Sequence, residues 1–140
     1  MPRIGVVLAK DGGALKEMLT PFKLGVGGTI GSGKQYLSWI ALADLVRIIH
    51  FVLENEDLHH AVNATAPNPV TNETFTDTLG KVLNRPTIIP IPAFGIKLLF
   101  GEKGEALLLE GARVLPKRLQ DADFEFSFPD LEDAMKHALK

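Results

Sequence analysis

One stretch constrains the fold more than any other: residues 25–55, GVGGTIGSGKQYLSWIALADLVRIIHFVLEN, where a glycine-dense loop runs into a long apolar segment. Glycines at 25, 27, 28, 31 and 33 free the backbone to take positive φ and let a partner come close to it. From Leu37 to Leu53 the only polar residues are Ser38, Asp44, Arg47 and His50. The last three recur every third position and would form one narrow stripe on a helix. This predicts a core helix over roughly Leu42 to Glu54, covered by protein on nearly all other sides, with layers on both flanks.

A layered core is feasible in a chain of 140 residues, which is long enough to bury roughly two-thirds of its unfolded surface. With 46% hydrophobic and 23% charged residues, the composition is that of an ordinary globular domain. The net charge is −2 with no Lys/Arg block, so the electrostatic footprint of a nucleic-acid binder is missing. There is no cysteine, which removes disulfides and thiolate metal sites and suits a reducing compartment. The longest apolar run is broken by Asp44, Arg47 and His50 and would be a poor membrane span. No targeting segment is visible, and the expectation is a cytoplasmic protein.

Along the chain, Arg3 to Leu8 (RIGVVL) reads as a buried strand of a parallel sheet. It opens almost at the first residue, which points to a chain cut from something larger. Ala14 to Leu19 predicts a short helix ending before Pro21. Ala61 to Thr65 is strand-like, and Pro67 to Asn72 is a loop. Thr71 is placed to cap a helix carrying Phe75, Leu79, Val82 and Leu83, which Asn84-Arg85-Pro86 ends. Thr87 to Ile91 is extended at a sheet edge, followed by short helices near 93–100 and 102–110. Phe124, Phe126 and Phe128 alternate with Glu125 and Ser127 as a half-buried strand. The closing helix places Asp130, Glu132 and Asp133 first and Lys136, His137 and Lys140 last, the order the helix dipole favours.

The sharpest motif is GTIGSGKQ, residues 28–35. It satisfies the phosphate-loop pattern up to its lysine, then offers Gln35 where a Ser or Thr hydroxyl must meet magnesium. No clean strand runs into it. The four histidines, at 50, 59, 60 and 137, lack metal-ligand spacing, and the expectation is no metal site. Asp44 and Arg47 can pair on the helix. Arg113, Lys117 and Arg118 gather three positive charges that could meet a ligand phosphate, although most such clusters are simply solvated. No nucleophile, base and orienting group can be assembled, so no catalytic residue is assigned. The single tyrosine, Tyr36, is not part of a Tyr-x-x-x-Lys, and the spacing from Gly25 to Gly31 misses the dinucleotide fingerprint.

RIGVVL, GGAL, PFKLGVGG, GSGKQYLSWI, NATAPNPVTN, RPTIIPIPAF, LLLEG followed by Arg113-Val114, and FPDLEDAM together resemble the C-terminal half of the atypical extended short-chain dehydrogenase/reductases. These are epimerase-family, sugar-nucleotide-epimerase-like proteins. The resemblance covers essentially the whole chain. It implies an α/β fold, the C-terminal part of an extended Rossmann-like fold with a small substrate-side α+β subdomain. Residues 1–65 would supply late strands and the core helix, and residues 66–140 a substrate-side subdomain of unknown function. It also implies that a half carrying the dinucleotide loop and the catalytic Ser, Tyr and Lys lies upstream. NAD or NADP is then the cofactor of the full-length parent, with none for this chain alone. The substrate would be a small molecule of the nucleotide-sugar class. Lys34, Gln35, Trp39, Asp44, Arg113 and Arg118 are the candidate substrate-binding residues. One departure stands out: where the family reads Ile-His-x-x-Asp-Leu, this chain reads Ile40-Ala41-Leu42-Ala43-Asp44-Leu45. Asp44 matches the family's aspartate, while Ala41 replaces its histidine.

The expected function is therefore that of a substrate-side part of an NAD(P)-dependent nucleotide-sugar epimerase- or dehydratase-like protein, not competent by itself. The alternative is a stand-alone interaction module that forms a homodimer through an open strand edge and apolar surface. Neither reading involves nucleic acid or membrane.

Overall fold

The structure, a computed structural model, describes residues 4–55, 58, 62–92 and 113–140. Strand β1 (Val6–Leu8) leads into helix α1 (Gly13–Lys23), and β2 (Tyr36–Leu37) and β3 (Trp39–Ala41) precede helix α2 (Leu42–Glu54). Strand β4 (Val70–Thr71) enters helix α3 (Asn72–Leu83), and helices α4 (Lys117–Asp121) and α5 (Leu131–Ala138) complete the described elements. β1 and β3 are parallel, with Val6 opposite Trp39, Val7 opposite Ile40 and Leu8 opposite Ala41. Ile4 adds one parallel bridge to Ala64. β2 and β4 form a separate antiparallel pair. The β-branched run of β1 behaves as a parallel strand should, with Val6 and Leu8 buried and Val7 half-buried.

Helices α1, α2 and α5 all pack on β1, and α3 packs on α1 and α5. A single core results, joining Leu8, Leu15, Trp39 and Ile40 from the first part of the chain to Phe75, Leu79, Leu119 and Met135 from the second.

Several expectations need correction. Helix α1 does not stop before Pro21 but contains it. Pro21 lies in the last turn, where its missing N–H forfeits only one bond. Phe22, 2% exposed, anchors that turn in the core, with its ring only 2.8 Å from where a Cβ on Gly27 would stand. The N–H groups of Leu24, Gly25 and Val26 close the end on the carbonyls of Thr20, Phe22 and Pro21.

Helix α2 has the expected limits, but its coverage is not the expected one. The face it buries carries Asp44 and Ile48. Leu42, Val46, Ile49 and Leu53 form an apolar stripe that is 47, 47, 52 and 70% exposed. Of the polar stripe only Asp44 is inside, Arg47 and His50 being exposed as expected, and an apolar row lies outside where cover was expected. The reason is a set of long-range hydrogen bonds to Asp44, described below.

Of the strand expected over 61–65, Ala64 forms a bridge only, and Ala61 lies outside the described residues. Phe124, Phe126 and Phe128 do alternate in burial with Glu125 and Ser127, yet this segment joins no strand among the described residues. Arg3, His59, His60 and the helices expected near 93–100 and 102–110 also fall outside the described residues.

Helix α3 is capped as its sequence requires: Thr71 Oγ1 accepts the N–H of Thr74 at 3.3 Å. Asn84 ends it in the left-handed conformation at φ 55°, where Asn is tolerated better than most residues. Thr71→Ala is expected to cost about 1 kcal/mol in urea unfolding, and a null result would mean that the cap is idle.

Helix α5 follows its dipole, with Glu132 and Asp133 first and Lys136 and His137 last. Glu132 binds Lys81 of α3 at 2.8 Å and Lys136 at 3.2 Å. Its hydrogen bonds to Lys81 and then Lys136 hold its carboxyl below the usual glutamate range. The Glu132 hydrogen bond likewise raises Lys81. The lowered acid contributes stability above the ordinary glutamate value and loses it as pH falls through the lowered one, whereas the raised lysine loses its share as pH rises through its own value. Glu132→Gln should flatten the acid limb of the unfolding midpoint, below the ordinary glutamate value, without altering the midpoint at neutral pH by more than a surface pair allows. An unchanged acid limb in a pH-resolved melt would contradict this.

Candidate functional site

The glycine loop has a close partner, and it is the chain itself. Gly25, Gly31 and Gly33 take φ of 77, 57 and 73°. A Cβ on Gly28 would overlap the carbonyl of Ile89, because residues 28–30 bridge to residues 88–91. The Gly31 N–H bonds to Ile91 O at 2.9 Å, the Ile91 N–H to Thr29 O at 2.9 Å, and the Gly33 N–H to Ile30 O at 3.0 Å. The Ile30 N–H goes to Asn72 Oδ1 at 2.8 Å and the Lys34 N–H to Ser32 Oγ at 3.2 Å. A phosphate cradle needs such N–H groups convergent and free, and these are committed to protein acceptors. No ATP or GTP binding with magnesium is expected. Micromolar affinity by calorimetry, abolished in Lys34→Ala, would overturn this.

Of the six candidate residues, one, Arg113, meets a surface aromatic, and Lys34 lies close to it in sequence. Lys34 is exposed, Tyr36 two residues on is 38% exposed, and the Arg113 guanidinium lies 5.9 Å from the Tyr36 ring centroid. Arg113 is held there by its neighbours. The Val114 N–H donates to Ser38 Oγ at 2.8 Å, Thr65 Oγ1 donates to Val114 O at 3.3 Å, and Asn63 Nδ2 donates to Leu115 O at 3.4 Å. Arg118, exposed on α4, lines a different depression with Leu58, Lys117, Asp121 and Ala122.

The other three candidates are bonded within the fold. Gln35 Nε2 donates to Ile30 O at 3.0 Å, tying the loop across its own turn. Trp39 is fully buried and donates its indole N–H to Asn68 O at 2.9 Å. Asp44, also fully buried, accepts the N–H of Ser127 on Oδ1 and the N–H of Phe128 on Oδ2, each at 2.9 Å. Arg47 donates to Asp44 at 3.1 Å, to Glu125 O at 2.7 Å and to Ser127 Oγ at 3.1 Å, and its guanidinium covers the Phe124 ring at 5.0 Å. Asp44 and Arg47 thus clamp the segment from Phe124 to Phe128 onto α2.

Sequence reasoning missed Asn72. It is fully buried on α3 and carries the Ile30 N–H, while its own Nδ2 and the Thr76 hydroxyl one turn on have no partner among the described residues. Nothing in its polar, loop-like surroundings singled it out. Also missed was a cleft of about 690 Å³ at the carboxyl ends of β1 and β3, lined by residues including Leu8, Lys10, Ala41, Leu42, Arg47 and His137. In open α/β sheets this end of the strands is where ligands bind, but the lining residues are far apart in sequence.

Residues 91–138 match the family described as Domain of unknown function (DUF1731). The chain is 46% identical over 134 residues to the Arabidopsis thaliana protein "Epimerase family protein SDR39U1 homolog, chloroplastic", an alignment covering 96% of this chain and 38% of that protein. It is 43% identical over 134 residues to the Homo sapiens "Epimerase family protein SDR39U1", covering 96% of this chain and 46% of that one. The crystal structure of human epimerase family protein SDR39U1 (isoform2) with NADPH superposes with a TM-score of 0.88 at 42% identity, over 97% of this chain and 46% of that chain. The chain therefore spans less than half the length of these relatives. On this agreement of sequence and fold, the chain is a C-terminal part of an epimerase-family protein of the extended short-chain dehydrogenase/reductase type, with the Rossmann-like fold of that family.

Proposed function

We propose that the chain is the substrate-side part of an NAD(P)-dependent nucleotide-sugar epimerase- or dehydratase-like protein, and that it is not catalytically competent alone. The observation that carries this reading is the superposition over 97% of the chain on 46% of a human relative whose structure was determined with NADPH. The glycine-rich loop does not fit the cofactor's phosphates as a cradle, since the N–H groups of Ile30, Gly31, Gly33 and Lys34 are already bonded within the chain. The dinucleotide then falls to the upstream part. Arg113, over the exposed Tyr36 ring, and Lys34, two residues before that tyrosine, are the cations for an anionic substrate, with Arg118 a further cation nearby in sequence. Gln35 ties the loop before Tyr36, and Trp39 and Asp44 tie residues 68 and 127–128 into the same fold. The absence of cysteine suits a reducing compartment such as the cytoplasm, and among the described residues no helix is long and apolar enough to cross a membrane.

The test joins this chain to the upstream part of the human relative. The joined protein should bind NADPH and this chain alone should not; micromolar NADPH affinity of this chain alone would overturn the reading. Lys34→Ala with Arg113→Ala should weaken a uridine-diphosphate sugar and leave NADPH affinity unchanged.

A second reading, a self-associating module, is favoured by the exposed stripe on α2. Sedimentation at tens of micromolar separates the two, since a monomer removes it.

A further inference from the structure

We infer that the outer face of α2 and the groove beside it receive a helix from the upstream part of the parent protein, an inference that rests on the reading of this chain as part of a longer one. Leu42, Val46, Ile49 and Leu53 are spaced by four, three and four residues, the interval at which a helix presents a continuous seam to another helix. They are about half exposed or more, on the side of α2 away from buried Asp44 and Ile48. An apolar row of this kind is seldom left to water in a soluble protein.

Leu42 and Val46 also line the 690 Å³ groove, and Ala134 and Ala138 of α5 line it with them. Two alanines one turn apart leave room for another backbone to come close. The charged residues of the groove are mainly basic, with Lys10, Arg47 and Lys140 against Asp11. The fitting occupant is an amphipathic helix with an apolar row and acidic flanks.

Two observations favour the upstream part over a second copy as its source. More than half of the human relative's chain has no counterpart here. Beyond the Ile4 bridge to Ala64, no described strand pairs with the second edge of β1. β1 belongs to a parallel pair, and parallel sheets are covered by helices on both faces, so a strand added at that edge would bring its helix with it. A two-fold pair about the groove would instead set Lys10, Arg47 and Lys140 against their own copies, and like charges across an interface oppose it.

The experiment co-expresses this 140-residue chain with the upstream part of the human relative and follows assembly by sedimentation. A one-to-one complex is expected. Val46→Lys and Ile49→Lys should each weaken it by roughly thirtyfold or more, as for a residue central to an interface. Both positions are exposed in this chain alone, so its own unfolding midpoint should stay unchanged. His50→Lys, on the neighbouring polar face, should leave the complex intact. If the upstream part does not fold separately, the two are joined in one chain, where the same substitutions should lower the midpoint that they spare in this chain. A complex indifferent to Val46→Lys and Ile49→Lys overturns the inference; if that complex still binds NADPH, the functional reading survives. A complex that these substitutions break but that does not bind NADPH upholds the inference and rejects the function. A homodimer that Ile49→Lys dissociates, with no mixed complex, also overturns it.

Discussion

Asp44→Ala is expected to destabilise the chain by about 3–5 kcal/mol, on the order of two charge-assisted hydrogen bonds lost from a buried carboxylate, and to release the segment from Phe124 to Phe128. The carboxylate is fully buried and accepts two backbone N–H groups, from Ser127 and Phe128, as well as the Arg47 guanidinium. Alanine leaves those two amides without their acceptor in a half-buried setting, where each loses a charge-assisted bond worth about 1.5–3 kcal/mol. The segment has no strand partner among the described residues, so little else holds its backbone. Asp44→Asn should fall between wild type and alanine, because the amide nitrogen must face an N–H or the guanidinium. Arg47→Ala should cost less, roughly 1–2 kcal/mol, since that side chain is 45% exposed and its loss leaves both amides bonded. Urea unfolding gives the magnitudes, and hydrogen exchange at Ser127 and Phe128 locates the effect. A loss under about 1 kcal/mol with those amides still protected would show that the clamp is dispensable.

Gly28→Ala is the second large effect, at roughly 3 kcal/mol, the upper end of what overpacking costs. The new methyl would overlap the Ile89 carbonyl, and backbone cannot swing aside as a side chain can. Relief requires residues 88–91 to move off the loop, which breaks the bonds between Thr29, Gly31 and Ile91. Gly33→Ala should also be costly, because its φ of 73° is unfavourable for alanine and its Cβ would crowd Thr29. Gly12 provides the contrast, with nothing within 4 Å of its Cβ position. Gly12→Ala should stay within about 0.5 kcal/mol. If Gly28→Ala is as mild as Gly12→Ala and the Ile91 amide remains protected, the loop does not make the close approach described here.

The two substitutions separate what was legible in the sequence from what was not. The loop's five glycines announced a close approach and an unusual backbone, and both are there. They also mimicked a phosphate cradle, and only the bonds from Gly31 to Ile91 and from Ile30 to Asn72 show where the N–H groups go. In the same way, Asp44 read as a helix residue able to pair with Arg47 and, by resemblance, as a candidate for substrate binding. The pair exists at 3.1 Å, but the partners that bury it are 83 and 84 residues away.

What the sequence determined by itself are the features with local causes: the β-branched run of β1, the limits of α2, the Thr71 cap and Asn84 stop of α3, and the dipole-ordered charges of α5. Propensity, capping and charge order act over one or two turns, so neighbouring residues suffice to reveal them. The extension of α1 through Pro21, the choice of which face α2 buries, the seat of the glycine loop against residues 88–91 and the meeting of Arg113 with Tyr36 were decided by tertiary structure. Periodicity reports that a helix has an apolar row and a polar row, but not which of them will find hydrogen-bond donors in the interior. On α2 the backbone amides of Ser127 and Phe128 satisfy Asp44, so that one polar residue turns inward beside Ile48 while Arg47, His50 and the apolar row face out.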